Sequence, residues 1–280
     1  MNGKLYIVAM PIGNSDDITL RALGILADVG LIATEDTRDT RRFLAHHNIT
    51  CRLTSFHEHN EAHKTPRMME KLKRGSSIAL VSKAGTPLIS DPGYRLVKAA
   101  VAENIPVVPI PGVSAIITAL SVAGLPTDAF VFEGFLPRVK GKRIKKLEAL
   151  AVEYKTVIFY ESPQRILVLL NEIKTTMGDR YGVICREMTK RHEEFLRGSV
   201  SILMDDLGSR KKLKGEFTLL IAGTHEKGEI SVDRIHNDIR AEMAKNRQGL
   251  SALVKTIAKR YGISKQVVYE EALRLKGEKE

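Results

Sequence analysis

The chain has 280 residues, 43% of them hydrophobic and 28% charged, which suits about two globular domains with cores of their own. No apolar run approaches the roughly 18–20 residues of a membrane span, and no basic segment followed by a long apolar stretch opens it, so a cytoplasmic protein without membrane attachment is expected. The formal net charge of +11 is the outlier; it suits nucleic acid, a small acidic substrate or solubility alone, and by itself selects none of them. Cys51 and Cys185 stand far apart without metal or redox spacing, and read as buried thiols in a reducing compartment.

In chain order, Leu5–Ala9, Leu31–Ala33, Ile78–Val81 and Pro106–Ile110 are apolar and rich in β-branched residues, without the alternation of half-exposed strands. Between them the spacing predicts helices near Asp16–Asp28, Arg38–His46, Glu61–Lys73, Pro92–Glu103 and Ser114–Ala123. Strand–helix alternation of this kind points to a parallel sheet with helices on both faces. The run Leu80-Val-Ser-Lys-Ala-Gly-Thr-Pro-Leu-Ile-Ser-Asp-Pro-Gly-Tyr94 empties a buried strand into a small-residue loop. Asp91-Pro92 then reads as the N-cap and first turn of the next helix. Such a loop lets backbone approach a ligand closely.

A second set of strands is predicted at Phe130–Phe135, Thr156–Tyr160, Tyr181–Arg186 and Phe217–Ala222, with helices near Lys142–Glu153 and Gln164–Met177. Gly124-Leu-Pro-Thr-Asp128 reads as the border, giving an α/β domain over 1–123 and a second over 124–225. His225-Glu-Lys-Gly-Glu229 reads as a linker. Beyond it, over 231–280, the pattern is helical. Ile235, Ile239 and Met243 share one face, and Leu253, Val254, Ile257, Ala258 and Tyr261 another. A turn at Gly262-Ile-Ser264 follows, with Val267, Val268 and Ala272 beyond it. This spacing fits a helix-turn-helix or a plain packing module, and in the first case Lys265 and Gln266 begin the groove-reading helix.

No Gly-x-Gly-x-x-Gly loop follows the first strand, which disfavours a dinucleotide. His57-Glu-His59 has the alternation that would put two imidazoles on one face of a strand, yet no second segment supplies further ligands, and no metal is expected. Arg138–Lys146, Lys190-Arg191 and Arg210–Lys214 are basic clusters. Each alone is a solvated surface; together they favour a phosphate-bearing partner whose binding is salt-sensitive.

Several motifs resemble one family. Leu5-Tyr-Ile-Val-Ala-Met-Pro-Ile-Gly-Asn14, Thr34-Glu-Asp-Thr-Arg38, Phe56-His-Glu-His-Asn-Glu61, the 80–94 run, Pro111-Gly-Val-Ser114, Glu133-Gly-Phe-Leu-Pro137 and Phe159-Tyr-Glu-Ser162 occur in this order. The chain resembles the tetrapyrrole (corrin/porphyrin) methylase superfamily, and within it the bacterial branch that methylates a ribose of small-subunit ribosomal RNA. The resemblance implies two α/β domains with a cofactor cleft between them, plus a small helix-turn-helix-like module. It implies S-adenosylmethionine as cofactor and 2′-O-methylation of a cytidine in the decoding region of 16S rRNA, on the 30S subunit, by a homodimer. A tetrapyrrole C-methyltransferase, or a non-catalytic nucleic-acid binder with an impaired cofactor site, are the rival readings.

By the same resemblance the cofactor walls are Pro11 and Gly13, the loop Lys83, Gly85, Thr86 and Pro87, Ser114 and Ala115, Phe159 and Tyr160, and Gly215 and Glu216. Phe159 equally suits plain core. Methyl transfer asks mainly for alignment and exclusion of water, and a ribose hydroxyl also for a proton acceptor. Glu35, Asp36 and Glu187 are the carboxylates closest to strand ends that could serve; for Glu35 and Asp36 helix capping is the competing role. Arg38 could grip a phosphate by a forked contact, and Arg138, Lys140, Lys142, Arg143, Lys190, Arg191, Lys265 and Gln266 are the other RNA candidates. Lys83 departs from the family pattern, which places Asp there. A cation beside a sulfonium costs roughly 3 kcal/mol at about 5 Å and an effective dielectric of about 20, so Lys83 is expected to turn outward.

Overall fold

The computed structural model describes residues 2–224, 236, 238–240, 242, 250–261 and 264–277. The chain divides into two units, Met1–Ala222 and Gly223–Glu280. The first holds two five-stranded sheets.

The first sheet takes β1 (Leu5–Val8), β2 (Leu31–Thr34), β3 (Leu53–Ser55), β4 (Ile78–Val81) and β5 (Val107–Ile110), all parallel, in the order β3-β2-β4-β1-β5. β4 lies between two neighbours, and its four residues are all buried, which is why it is uniformly apolar. The crossovers are α1 (Leu20–Asp28), α2 (Thr37–His46), α3 (Glu58–Lys73) and α4 (Tyr94–Ala102), and α5 (Ala115–Ala123) follows β5. Thr19 starts α1 by accepting from the Ala22 amide, after a short 3-10 turn at Ser15–Asp17, so the helix expected from Asp16 begins later.

The second sheet is mixed. It comprises β6 (Phe130–Phe135), β7 (Thr156–Glu161), β8 (Tyr181–Arg186), β9 (Glu194–Ser199) and β10 (Phe217–Ile221), in the order β6-β7-β10-β8-β9. β6 and β7 form its parallel pair; β10 is antiparallel to both β7 and β8, and β9 to β8. α6 (Lys140–Leu150), α7 (Ile166–Met177) and α8 (Val200–Gly208) accompany it. β6 carries a bulge between Phe132 and Gly134, where Gly134 takes φ 61°. Cys185 is buried in β8, and burial pushes its thiol up to about 12; Cys51, half-buried before β3, is also raised by burial.

In the second unit α9 (Leu250–Tyr261) and α10 (Lys265–Gly277) pair around Ile239, Leu253, Val254, Ile257, Val268 and Ala272. Ser264 accepts from the Val267 amide, as an N-cap should. Ile235, Met243, the 225–229 linker and the 262–263 turn lie outside the described residues.

Candidate active site

The carboxyl ends of β1, β2, β4 and β5 release four loops on one rim of the parallel sheet, where open α/β sheets receive ligands. Three of them are stitched together. Met10 and Gly85 exchange backbone hydrogen bonds of 2.9 Å each way, Ser82 Oγ donates to the carbonyls of Ala84 and Gly85 (3.1 and 3.0 Å), and Thr86 Oγ1 donates to Val113 O (3.2 Å). With the facing end of the second sheet they enclose a cavity of about 630 Å³. Its walls bring together Pro11, Gly13, Glu35, Lys83, Gly85, Thr86, Ser114, Ala115, Tyr160, Lys190, Gly215 and Glu216. Pro87 is buried and stands off the wall, and Phe159 is fully buried in the second core, so of its two roles the geometry gives packing.

Two of the cavity's acids act on one another. Asp91 and Glu35 both line it, and Asp91 is pushed up to about 6, by burial first and by the charge of Glu35 second. Neither has an ion-pair partner among the described residues. Asp91 does not cap a helix, as Asp91-Pro92 had suggested. α4 starts at Tyr94, and its amides are met by Glu61 of α3, whose buried Oε1 accepts from Gly93 N (3.2 Å) and Arg95 N (2.8 Å). The carboxylate of Asp91 lines the cavity instead, with the Ser82 hydroxyl beside it. The loop that carries it has two non-glycine residues in the left-handed region, Leu88 (φ 74°) and Ser90 (φ 63°), each costing about 1–3 kcal/mol. Tyr160 is pushed up to about 12 by burial and by Asp91.

The other sequence candidates are committed elsewhere. Asp36 caps α2, accepting from the Arg38 and Asp39 amides, and those bonds hold its carboxyl below the usual range. Glu187 Oε1 accepts from Lys190 Nζ (2.9 Å) and Glu216 N (3.0 Å), and the Lys190 contact depresses it. Lys190 Nζ also reaches Glu216 Oε2 at 2.9 Å. Lys190 is therefore a wall residue tied to two carboxylates, not a free phosphate contact. Gly13 and Gly215 serve this same knot: a Cβ at Gly13 would collide with the Lys190 side chain, and one at Gly215, which has φ 100°, with Glu187. Lys83 is 62% exposed and sits 3.5 Å from Asp39 Oδ2, which offsets its charge.

Arg143 requires a correction. It is buried on α6, forked onto Glu172 of α7 (2.5 and 2.7 Å), so it offers nothing to RNA. Arg38, Arg138, Lys140, Lys142 and Arg191 are exposed. Lys265 and Gln266 border a shallow hollow of the second unit with Ser251, Lys255 and Tyr269. His57 is no strand residue; it caps α3 reciprocally with Asn60, and no metal-binding group of acids, histidines or cysteines occurs among the described residues. Sequence reasoning missed Asp91, Glu61, Glu161 and Phe135 as contributors.

Residues 4–203 match the family profile "Tetrapyrrole (Corrin/Porphyrin) Methylases". The chain is 43% identical to the ribosomal RNA small subunit methyltransferase I of Mesorhizobium japonicum over 97% of its length and 92% of that protein's. It is 42% identical to the protein of the same name from Synechocystis, over 99% of both. Among solved structures it resembles a cobalt precorrin-4 methyltransferase of cobalamin biosynthesis (TM-score 0.58, 19% identity, 78% of this chain and 94% of that one). It also resembles a Thermus thermophilus uroporphyrin-III C-methyltransferase complexed with S-adenosylhomocysteine (TM-score 0.56, 16% identity, 78% and 97%). The cavity lies at the rim of a parallel sheet in a fold shared with these methyltransferases, and the chain belongs to the tetrapyrrole (corrin/porphyrin) methylase family.

Proposed function

We propose that this chain is an S-adenosylmethionine-dependent methyltransferase of small-subunit ribosomal RNA, and that it methylates the 2′-hydroxyl of a cytidine ribose in the decoding region, on the 30S subunit. The observation that carries the reading is the pair Asp91–Glu35, two acids without a basic partner that line the cavity at the rim of the parallel sheet. Such a site rewards a cationic ligand, because a positive charge between them offsets both burial and mutual repulsion. The residues present fit the cofactor: an acidic side for its sulfonium and ammonium groups, and walls of small residues at Gly13, Ala84, Gly85, Ser114 and Ala115 that leave room for it. When bound, S-adenosylmethionine supplies an activated methyl group.

The chain's own part is alignment and proton handling. Asp91 holds the cationic end, the Lys190–Glu187–Glu216 knot fixes the opposite wall, and the linked β1, β4 and β5 loops exclude water. Of the three carboxylates singled out from sequence, Asp36 is engaged by a helix and Glu187 by Lys190. Glu35 alone faces the cavity free of such a partner, and takes the role of proton acceptor. The relatives' shared name, over nearly the whole of both chains, supports ribosomal RNA as substrate. The excess positive charge of the chain agrees with it. Action in the cytoplasm, as a homodimer, belongs to the same proposal.

The test offers purified protein and methyl-labelled cofactor to 30S subunits lacking the modification, to free 16S rRNA and to a tetrapyrrole precursor. Label on a cytidine ribose is expected. Label on the macrocycle, or on no substrate at all, overturns the reading.

A further inference from the structure

Phe135 ends β6 on the cavity lip and is 58% exposed, an unusual position for a large aromatic side chain. One flank of its ring is supported. Tyr160, its register partner on β7, lies 5.6 Å away between centroids, tilted by 58°, and is itself braced edge-on by Phe132 at 5.0 Å. The ring is thus fixed on one side and open on the other.

The turn after it is held with equal care. Three successive carbonyls follow β6, and two guanidinium groups, one buried and one partly buried, take all three. Arg165 Nη2 donates to Leu136 O (2.9 Å), while Arg143 Nη1 donates to Pro137 O (3.0 Å) and Arg138 O (2.9 Å). Each arginine is anchored in turn by a buried acid, Glu161 for Arg165 (3.1 Å) and Glu172 for Arg143. With all three carbonyls met, the turn is held in place from two sides. Downstream, Arg138, Lys140 and Lys142 are exposed, with no ion-pair partner among the described residues; Glu133, the nearby acid, is bound to Lys146.

We propose that Phe135 is a stacking platform for an unpaired nucleobase of the RNA substrate, presented at the cavity mouth by the Arg143–Arg165 clamp and flanked by lysines that track the adjoining phosphates. A rigid aromatic face beside a cationic track is the combination that binds single-stranded nucleic acid, since every base has a π-face and every linkage a charge. The proposal rests on the RNA-methyltransferase reading and assigns it the contact that holds the strand while a ribose enters the cavity.

The experiment compares wild type, Phe135→Ala, Phe135→Leu and Phe135→Tyr in three measurements. These are kcat/KM on unmodified 30S subunits, anisotropy with a short fluorescein-labelled single-stranded RNA, and calorimetry with S-adenosylhomocysteine. Phe135→Ala is expected to lower both kcat/KM and RNA affinity by roughly five- to 150-fold, the loss of one base–aromatic stack. Phe135→Tyr restores most of the loss and Phe135→Leu only part of it, while affinity for S-adenosylhomocysteine holds within about twofold. Equal losses for S-adenosylhomocysteine and RNA would make the ring a cofactor wall and overturn the proposal. A shift in sedimentation with Phe135→Ala would do the same, because the ring would then belong to an interface between copies. The anisotropy arm needs no turnover, so failure of wild type to methylate RNA sinks the functional reading and leaves the platform to be judged by binding.

Discussion

Replacing Glu172 by leucine should be the most damaging single change outside the cavity. Its carboxylate is 7% exposed and meets a guanidinium whose side chain is 9% exposed. The substitution leaves Arg143 charged, buried and without its acid, a state that costs about 3–5 kcal/mol. For a unit of this size, with about 2–4 °C per kcal/mol, that is a fall in melting temperature of roughly 6–20 °C. The chain has no tryptophan, so urea and thermal unfolding are best followed by far-UV circular dichroism. Arg143→Met with Glu172→Leu removes both charges at once. It should recover to within about 2 kcal/mol of wild type, the remainder being the donors lost to Pro137 O and Arg138 O. Recovery of stability without recovery of RNA turnover would separate the clamp's folding role from its task of aiming Phe135. If the single variant loses less than about 1 kcal/mol, or the double falls as far as the single, the buried-charge argument is wrong.

Wild type should bind S-adenosylmethionine more tightly as pH climbs through about 6, and Asp91→Asn should weaken binding and abolish that rise, read by calorimetry at several pH values. Stability should change too. Asp91 binds its proton more tightly in the fold than in the unfolded chain, so its contribution is present below about pH 4 and is lost as pH rises through about 6. Thermal scans should therefore show the Asn variant gaining on wild type across that interval. Gly215→Ala places a Cβ at φ 100° against Glu187 and should cost about 1–3 kcal/mol in urea unfolding, with a drop in cofactor affinity; normal values would mean the knot yields freely. Gly24→Ala, in α1 with open space around it, should instead stabilise by about 1 kcal/mol. Glu61→Ala removes the cap of α4 and should destabilise by about 1–2 kcal/mol, with faster amide exchange at Gly93 and Arg95.

What could be read from residues alone follows the range of the forces involved. The central strands β1, β2 and β4 announce themselves because burial on both faces requires unbroken apolar runs, and the edge strand β5 is legible from its β-branched residues. β3 is three half-buried residues at a sheet edge, and β9 is the polar edge strand Glu194–Ser199, so neither carries such a run. The site divides along the same line. Glycine-containing loops after strands marked the rim, whereas the roles of single side chains were set by partners distant in sequence. Asp91-Pro92 has the local chemistry of a helix start, and only Glu61, thirty residues earlier, shows that the cap is supplied from elsewhere. Arg143 looked like one more member of a basic run until Glu172 is placed beside it, and Lys190 until Glu187 and Glu216 are. Phe135 offered no local signal, since an aromatic residue in a strand is ordinarily core.

The two thiols also have a use. One sits at the heart of the mixed sheet and the other beside the outermost strand of the parallel one, so each layer carries its own chemical reporter. Alkylating reagents act on thiolate, and a sulfur titrating near 12 is inert until its strand is prised open. Pulse labelling followed by mass spectrometry could thus time the breathing of the two layers separately in the native chain, without adding a single probe.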